Sequence, residues 1–234
     1  MHTRGKDSLE HAKLRLGRRR RLVYVFTEGK VTEPTYIEII RDRGIYADPT
    51  VAVEVRIANA TAPGSQRKPI KLVEAAVRLM REEVWQAKRS NLKKELWPQV
   101  WCLFDRDEHD SIETALKQAR EGDVRVAFSH PCFEVWRLLH YKPVTGTFGG
   151  VCDQATARLP FAKDAANIKV VLPEQLPPGS YRQAKKRALQ MNAAHGDHVP
   201  RESIAIHTRM FSPSSRMDSA LLRIDPGICD RSVR

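Results

Sequence analysis

Two short, uninterrupted apolar runs punctuate the first half of the chain, Leu22 to Phe26 (LVYVF) and Val100 to Phe104 (VWCLF), and each ends in acid. Their length and their β-branched and aromatic content predict buried strands. The first closes on Thr27-Glu28-Gly29, a turn; the second runs into Asp105-Arg106-Asp107-Glu108-His109-Asp110. Between them the pattern changes period. Tyr36, Ile39 and Ile40 form a stripe that predicts a helix from Thr32 to Arg43, with Thr32 as its N-cap and Pro34 in the first turn. Val51 to Ile57 (VAVEVRI) alternates and predicts a second strand. Thr61 to Lys68 is a polar loop, and Leu72, Val73, Ala76, Val77, Met80 and Val84 give a helix over Ile70 to Ala87. After the acidic run the pattern predicts a helix from Ser111 to Glu121 closed by Gly122, a strand over Val124 to Phe128, a turn at Ser129-His130-Pro131, and a buried helix from Cys132 to Tyr141.

Strands alternating with helices from residue 22 to 141 imply an α/β domain with a largely parallel sheet flanked by helices. Beyond Tyr141 the periodicity weakens. Tyr181 to His195 reads as a basic helix with alanines and Leu189 as its apolar face, and Ser214 to Ile224 as a last short helix. With no internal repeat, this part reads as a mainly helical extension completing the core. The expected division is a basic tail over residues 1–20, a catalytic core over 21–141 and a helical subdomain over 142–234 packing on that core.

Composition narrows the class. A length of 234 residues suits one domain with a smaller appendage. No stretch approaches the roughly 18 apolar residues that span a bilayer, and the N-terminal stretch lacks the apolar centre of a signal peptide. Cys102, Cys132, Cys152 and Cys229 are scattered, with Cys102 and Cys132 in apolar runs, and read as reduced thiols. A cytoplasmic protein without disulfides or membrane contact is expected. Forty Lys and Arg against 28 Asp and Glu give a net charge of +12, which favours polyanions through counterion release. The densest run, Arg18 to Arg21, is either a solvated edge or an arm that tracks phosphates, and charge alone does not separate the two.

The chemistry lies where the apolar runs stop. In an open parallel sheet, ligands sit beyond the carboxyl ends of the strands. Glu28 at one such end and Asp105 and Asp107 at another should therefore converge. Asp105 and Asp107 are two apart, so an extended backbone turns both to one face. Three carboxylates together repel unless one takes a proton or a cation sits between them. Oxygen-only donors suit Mg2+ or Mn2+, which can polarise a phosphoryl oxygen and activate water. Each piece alone has a plainer reading: Glu-Gly is a common turn, D-x-D is common in loops, and Asp107 or Asp110 can cap the following helix. Gly29-Lys30 lacks the upstream glycine of a phosphate loop. His195 and His198 have no third ligand nearby for zinc, and no nucleophilic triad is visible.

Three ordered segments sharpen this reading. Glu28-Gly29-Lys30-Val31-Thr32-Glu33-Pro34, Phe104-Asp105-Arg106-Asp107-Glu108-His109, and His130 through His140 (HPCFEVWRLLH) resemble the signatures of the RloB-like family, which is itself similar to the Toprim superfamily of topoisomerases, primases and OLD-type nucleases. The resemblance spans roughly residues 21 to 225, including the basic helix near Ala184 to Leu189 and Ser212-Pro213-Ser214-Ser215-Arg216. It departs at His130 and Ser212, where Asn is usual. It implies a Toprim-like fold and an association with bacterial phage-defence loci, often beside an ATPase gene. It further implies metal binding by Glu28, Asp105 and Asp107, with Glu28 also serving as general acid or base. Glu33 is then a further metal carboxylate or a salt-bridged helix residue, and Glu134 a site residue or the wet position of its helix. Lys30 either stabilises phosphoryl charge or is a surface lysine. His109 is a proton shuttle or a helix-start polar residue, and His140 is structural.

The leading expectation is a Mg2+- or Mn2+-dependent nuclease acting on RNA or DNA in antiphage defence, in a homo-oligomer or with an ATPase partner. A non-catalytic nucleic-acid-binding or adaptor subunit is the first rival; it predicts salt-sensitive binding indifferent to magnesium. A phosphoryl-transfer enzyme for small nucleotides is the second.

Overall fold

The computed structural model describes residues 19–43, 51–106, 109, 111–146 and 148–194. Asp107, the His195 and His198 pair, the expected helix over Ser214 to Ile224 and most of the expected tail lie outside the described residues.

The described residues form four strands, β1 (Arg19–Thr27), β2 (Val51–Ile57), β3 (Gln99–Asp105) and β4 (Arg125–Ser129). They form one sheet in the order β2-β1-β3-β4, and every pairing is parallel. The helices are α1 (Thr32–Arg43), α2 (Pro69–Arg89), α3 (Ile112–Glu121), α4 (Glu134–Leu139), α5 (Cys152–Thr156) and α6 (Ser180–Ala194). This is an α/β fold with a helical C-terminal region, as the alternation of patterns predicts.

Period-2 alternation divides the strands between two cores. Val23, Val25, Trp101 and Leu103 face a cluster completed by Tyr36, Ile37 and Ile40 of α1, by α4, and by Ala184 and Ala188 of α6. Phe26, Val100, Cys102 and Phe104 face the other side, where Leu72, Val73, Ala76 and Met80 of α2 meet Ala115, Leu116 and Ala119 of α3. Central strands covered on both faces read as continuous apolar runs, whereas the edge strand β2 alternates. Its Val55 is buried while Arg56 and Glu54 pair at 2.6 Å on the wetter face. Helices α2 and α3 approach so closely that a Cβ on Gly122 would stand 2.3 Å from the Val77 side chain.

The described residues after Tyr141 pack on the first core. Arg137, 1 % exposed, donates from Nη1 to the Ile168 carbonyl (2.6 Å) and from Nη2 to Gln175 Oε1 (2.9 Å), tying the irregular segment to α4. Arg187 of α6 donates to the Leu139 carbonyl at 2.7 Å, at the end of α4. Part of the basic helix is thus spent on internal packing.

Three expectations change. Strand β1 begins at Arg19, inside the stretch read as tail, because its backbone pairs with Val51, Ala52 and Val53; Arg21 is buried as part of that strand. Leu189 is exposed, since the buried stripe of α6 runs through Ala184 and Ala188. Cys132 and Cys152 are paired as a disulfide, their Cα atoms 5.7 Å apart. Their proximity follows from the chain's return to the start of α4, which 20 residues of weakly patterned sequence do not reveal. Cys102 is the buried free thiol expected of it. No helix among the described residues is long and apolar enough to cross a membrane.

Candidate metal site at the carboxyl edge of the sheet

The first crossover moves from β1 outward to β2, and the later ones move from β3 to β4 on the other side. The order of strands therefore reverses between β1 and β3, and parallel sheets leave a crevice at such a point, beyond the strand ends. Glu28 follows β1 and Asp105 ends β3, so both stand at this crevice.

The loop after β1 is held from several directions. Thr27 is fully buried. Its N–H donates to Asn59 Oδ1 (3.0 Å) and its carbonyl accepts from Asn59 Nδ2 (2.8 Å), so that one side-chain amide continues the β1–β2 ladder past its end. Arg67 is also buried. Its Nη1 donates to the carbonyls of Thr27 (2.9 Å) and Gly29 (3.0 Å), its Nη2 to those of Asn59 (2.7 Å) and Ala60 (3.1 Å), and its Nε to that of Ala62 (3.1 Å). On the far side, the Glu28 N–H donates to the Leu103 carbonyl at 2.9 Å. The backbone carrying Glu28 is thereby fixed to both neighbouring strands.

The Glu28 carboxylate turns toward β3. Oε2 accepts from the Asp105 N–H at 2.9 Å, and Oε1 lies 2.6 Å from His109 Nε2. Glu33, in the first turn of α1, folds back over the same loop and accepts from the Gly29 N–H at 3.1 Å. Gly29 makes this possible: a Cβ there would lie 2.0 Å from Glu33 Oε2. Glu134 opens α4 with its carboxylate near Arg137, 4.0 Å away, and directed into the same electrostatic neighbourhood as Asp105 and Glu33.

Burial pushes the Asp105 carboxyl well above the usual carboxylate range, and the charges of Glu33, Glu134 and Glu28 push it further, against a stabilising Phe133 N–H. Burial likewise raises Glu33; its own N–H and that of Gly29 oppose the rise, and the charges of Glu134 and Glu28 add to it. The structure therefore brings Glu28, Glu33, Asp105, Glu134 and His109 together. Lys30 is exposed, at the rim of the loop.

These acids form an electrostatic cluster more than a closed cage. Among the described residues, the three side chains whose ligand atoms all lie within 4.8 Å of one another are Cys132, Glu134 and Cys152, with both sulfurs engaged in the disulfide. Glu28 is engaged by the Asp105 N–H and His109. The donor chemistry nevertheless fits a hard divalent cation: every group is an oxygen donor, and a buried carboxyl whose neighbours oppose its ionisation is what such a cation relieves.

Asn59 and Arg67 were not legible as site residues. An asparagine after a strand and an arginine in a polar loop give no periodic or charge signal; their role exists only once β1 and β2 are adjacent.

No curated protein and no solved structure matches the chain. A family model described as RloB-like protein matches residues 23–221, which include both strand ends, the loop of Arg67 and the helix of Glu134. The chain belongs to the RloB-like protein family.

Proposed function

We propose that the protein is a metal-dependent nuclease, hydrolysing phosphodiesters of RNA or DNA in antiphage defence. The observation that carries this reading is the gathering of Glu28, Glu33, Asp105 and Glu134 at the β1–β3 switch point, where burial first, and then the charges of its neighbours, push the Asp105 carboxyl above its ordinary range. A bound Mg2+ or Mn2+ supplies charge for a phosphoryl oxygen and lowers the pKa of water. Glu28, Asp105 and Asp107 would hold it, with Glu33 and Glu134 in support. His109, in contact with Glu28, orients that carboxylate and relays a proton to or from it. Lys30, exposed at the rim, meets phosphate that approaches the crevice. The net charge of +12 supports a polyanionic substrate, and the family membership supports the defence setting.

The test is incubation of wild type, Asp105→Ala and Asp107→Asn with labelled tRNA, single-stranded RNA and plasmid DNA, each with Mg2+, Mn2+ or chelator. Cleavage by wild type alone, abolished by chelator, is expected. Undiminished cleavage by Asp105→Ala, or metal-indifferent binding without cleavage, sinks the proposal.

A further inference from the structure

The opposite edge of the sheet is basic. Helix α2 leaves the Arg67 loop at the carboxyl edge and delivers the chain to the start of β3, so its last turns and the following loop lie at the amino edge. From Arg78 to the start of β3 the chain carries six basic residues, Arg78, Arg81, Lys88, Arg89, Lys93 and Lys94, against three acids, Glu82, Glu83 and Glu95. One of these acids is already engaged, accepting from the Tyr24 hydroxyl at 2.7 Å. All six basic residues are exposed, and none is ion-paired with a carboxylate among the described residues.

Among them stands Trp85, 52 % exposed, with the Arg89 guanidinium 4.5 Å from its ring centroid. Arg78, Arg81, Trp85 and Arg89 follow one another at helical spacing along a single exposed stripe of α2. Arg78 and Arg81 also line a cavity of about 400 Å³ between α2 and α3, shared with Gln118 and with the acids Glu74 and Glu121, so the stacking face proper is the Trp85–Arg89 end of the stripe. Neither core uses this indole. A flat aromatic surface flanked by unpaired cations suits an unstacked base on the ring and phosphates on the flanking side chains. An acidic peptide complements the charge but has no plane to stack on the indole.

We propose that this face anchors a single-stranded stretch of polynucleotide at a distance from the acids. Six residue steps of β3 separate Gln99 from Asp105, and at about 3.3 Å each they put roughly 20 Å between the two edges. At the stacked rise of about 3.4 Å per nucleotide a strand touching both covers about six nucleotides, and fewer where it is extended. As a site of cleavage control, the anchor rests on the nuclease reading above; as a binding surface it does not.

The test measures binding by fluorescence anisotropy with labelled unpaired 20-nucleotide RNA and DNA, on the full chain with chelator present so that no cleavage occurs. Trp85→Ala is expected to weaken binding about tenfold. Arg89→Glu/Lys93→Glu/Lys94→Glu is expected to weaken it more than tenfold and to lower the salt slope by about three. Trp85→Phe, the variant least able to disturb the helix, is expected to keep most of the affinity but to lose the tryptophan quenching that the oligonucleotide causes in wild type. Unchanged affinity and unchanged quenching in these variants overturn the proposal, as does polyglutamate competing as well as the oligonucleotide. Self-association lost in Trp85→Ala with oligonucleotide binding intact assigns the face to a second copy, and overturns it too. Binding lost in the variants while wild type cleaves nothing sinks only the nuclease reading; cleavage by wild type with binding unaffected in the variants sinks only the anchor.

Discussion

Replacing Arg67 with methionine removes the clamp on the loop of Glu28 while keeping the length and much of the volume of the side chain. The guanidinium reaches the carbonyls of Thr27, Gly29, Asn59, Ala60 and Ala62. Three of these have a second donor: Asn59 Nδ2 for Thr27, the Thr27 hydroxyl for Gly29, and the Ala62 N–H for Asn59. Few acceptors are therefore orphaned, and the loss is mainly of the charge-assisted bonds themselves. Two of them, to the Thr27 and Asn59 carbonyls, are buried at both ends, and at about 1.5–3 kcal/mol each they give a gross loss of roughly 3–6 kcal/mol. Relief from burying a guanidinium that has no carboxylate partner among the described residues reduces the expected net to about 3–4 kcal/mol. Arg67→Lys, with three donors and no planar fork, should cost about 2 kcal/mol. Urea unfolding of the three proteins measures this. Titration with Mn2+, followed by its electron paramagnetic resonance signal, should show about tenfold weaker binding in Arg67→Lys, which stays folded, because a loosened loop no longer fixes Glu28. An unfolding free energy for Arg67→Met within about 1 kcal/mol of wild type refutes the clamp. Unchanged Mn2+ affinity in Arg67→Lys refutes its link to the metal.

Other outcomes follow from the same geometry. Gly29→Ala places a methyl where Glu33 Oε2 lies; Mn2+ affinity should fall several-fold in titration, since the carboxylate must leave its place over the loop. Asp105 keeps its proton in the folded chain at pH values where the unfolded chain has lost it, so its contribution to stability is present in acid and lost as pH rises through the raised folded pKa. Asp105→Asn should match wild type in acid and grow more stable than metal-free wild type as pH rises. Mg2+ should close that gap by stabilising wild type alone, and thermal melts across pH read all of this. Metal binding should also release protons, seen as a buffer-dependent heat in calorimetry. Reduction of the Cys132–Cys152 link, which closes a loop of 20 residues' separation, should lower unfolding free energy by about 3 kcal/mol; Cys152→Ser should be insensitive to reductant.

The sheet was legible because its central strands are covered on both faces, and such strands announce themselves as short, unbroken apolar runs. Leu22 to Phe26 and Val100 to Phe104 fall inside β1 and β3. The carboxylates that end those runs were legible for the same reason, since a charge at a buried strand's end has to face a crevice or water. What escaped depends on contacts between distant segments. Nothing near Arg67 foretells that its guanidinium will meet the carbonyls of Thr27 and Gly29. Cys132 and Cys152 are linked by a chain path without pattern. Leu189 resembled a core position because the helix is thin in apolar residues, yet two alanines suffice where α6 lies close against α4.

The switch-point arrangement has a consequence for how the chain is made. Glu28 is translated early, but its partners Asp105 and Glu134 emerge some 77 and 106 residues later, and parallel neighbours cannot pair until each intervening crossover has folded. The acidic crevice therefore cannot be completed until the chain has been made at least as far as Glu134. Fragments released early from the ribosome carry Glu28 without Asp105 and Glu134, so the order of synthesis delays completion of the acidic crevice.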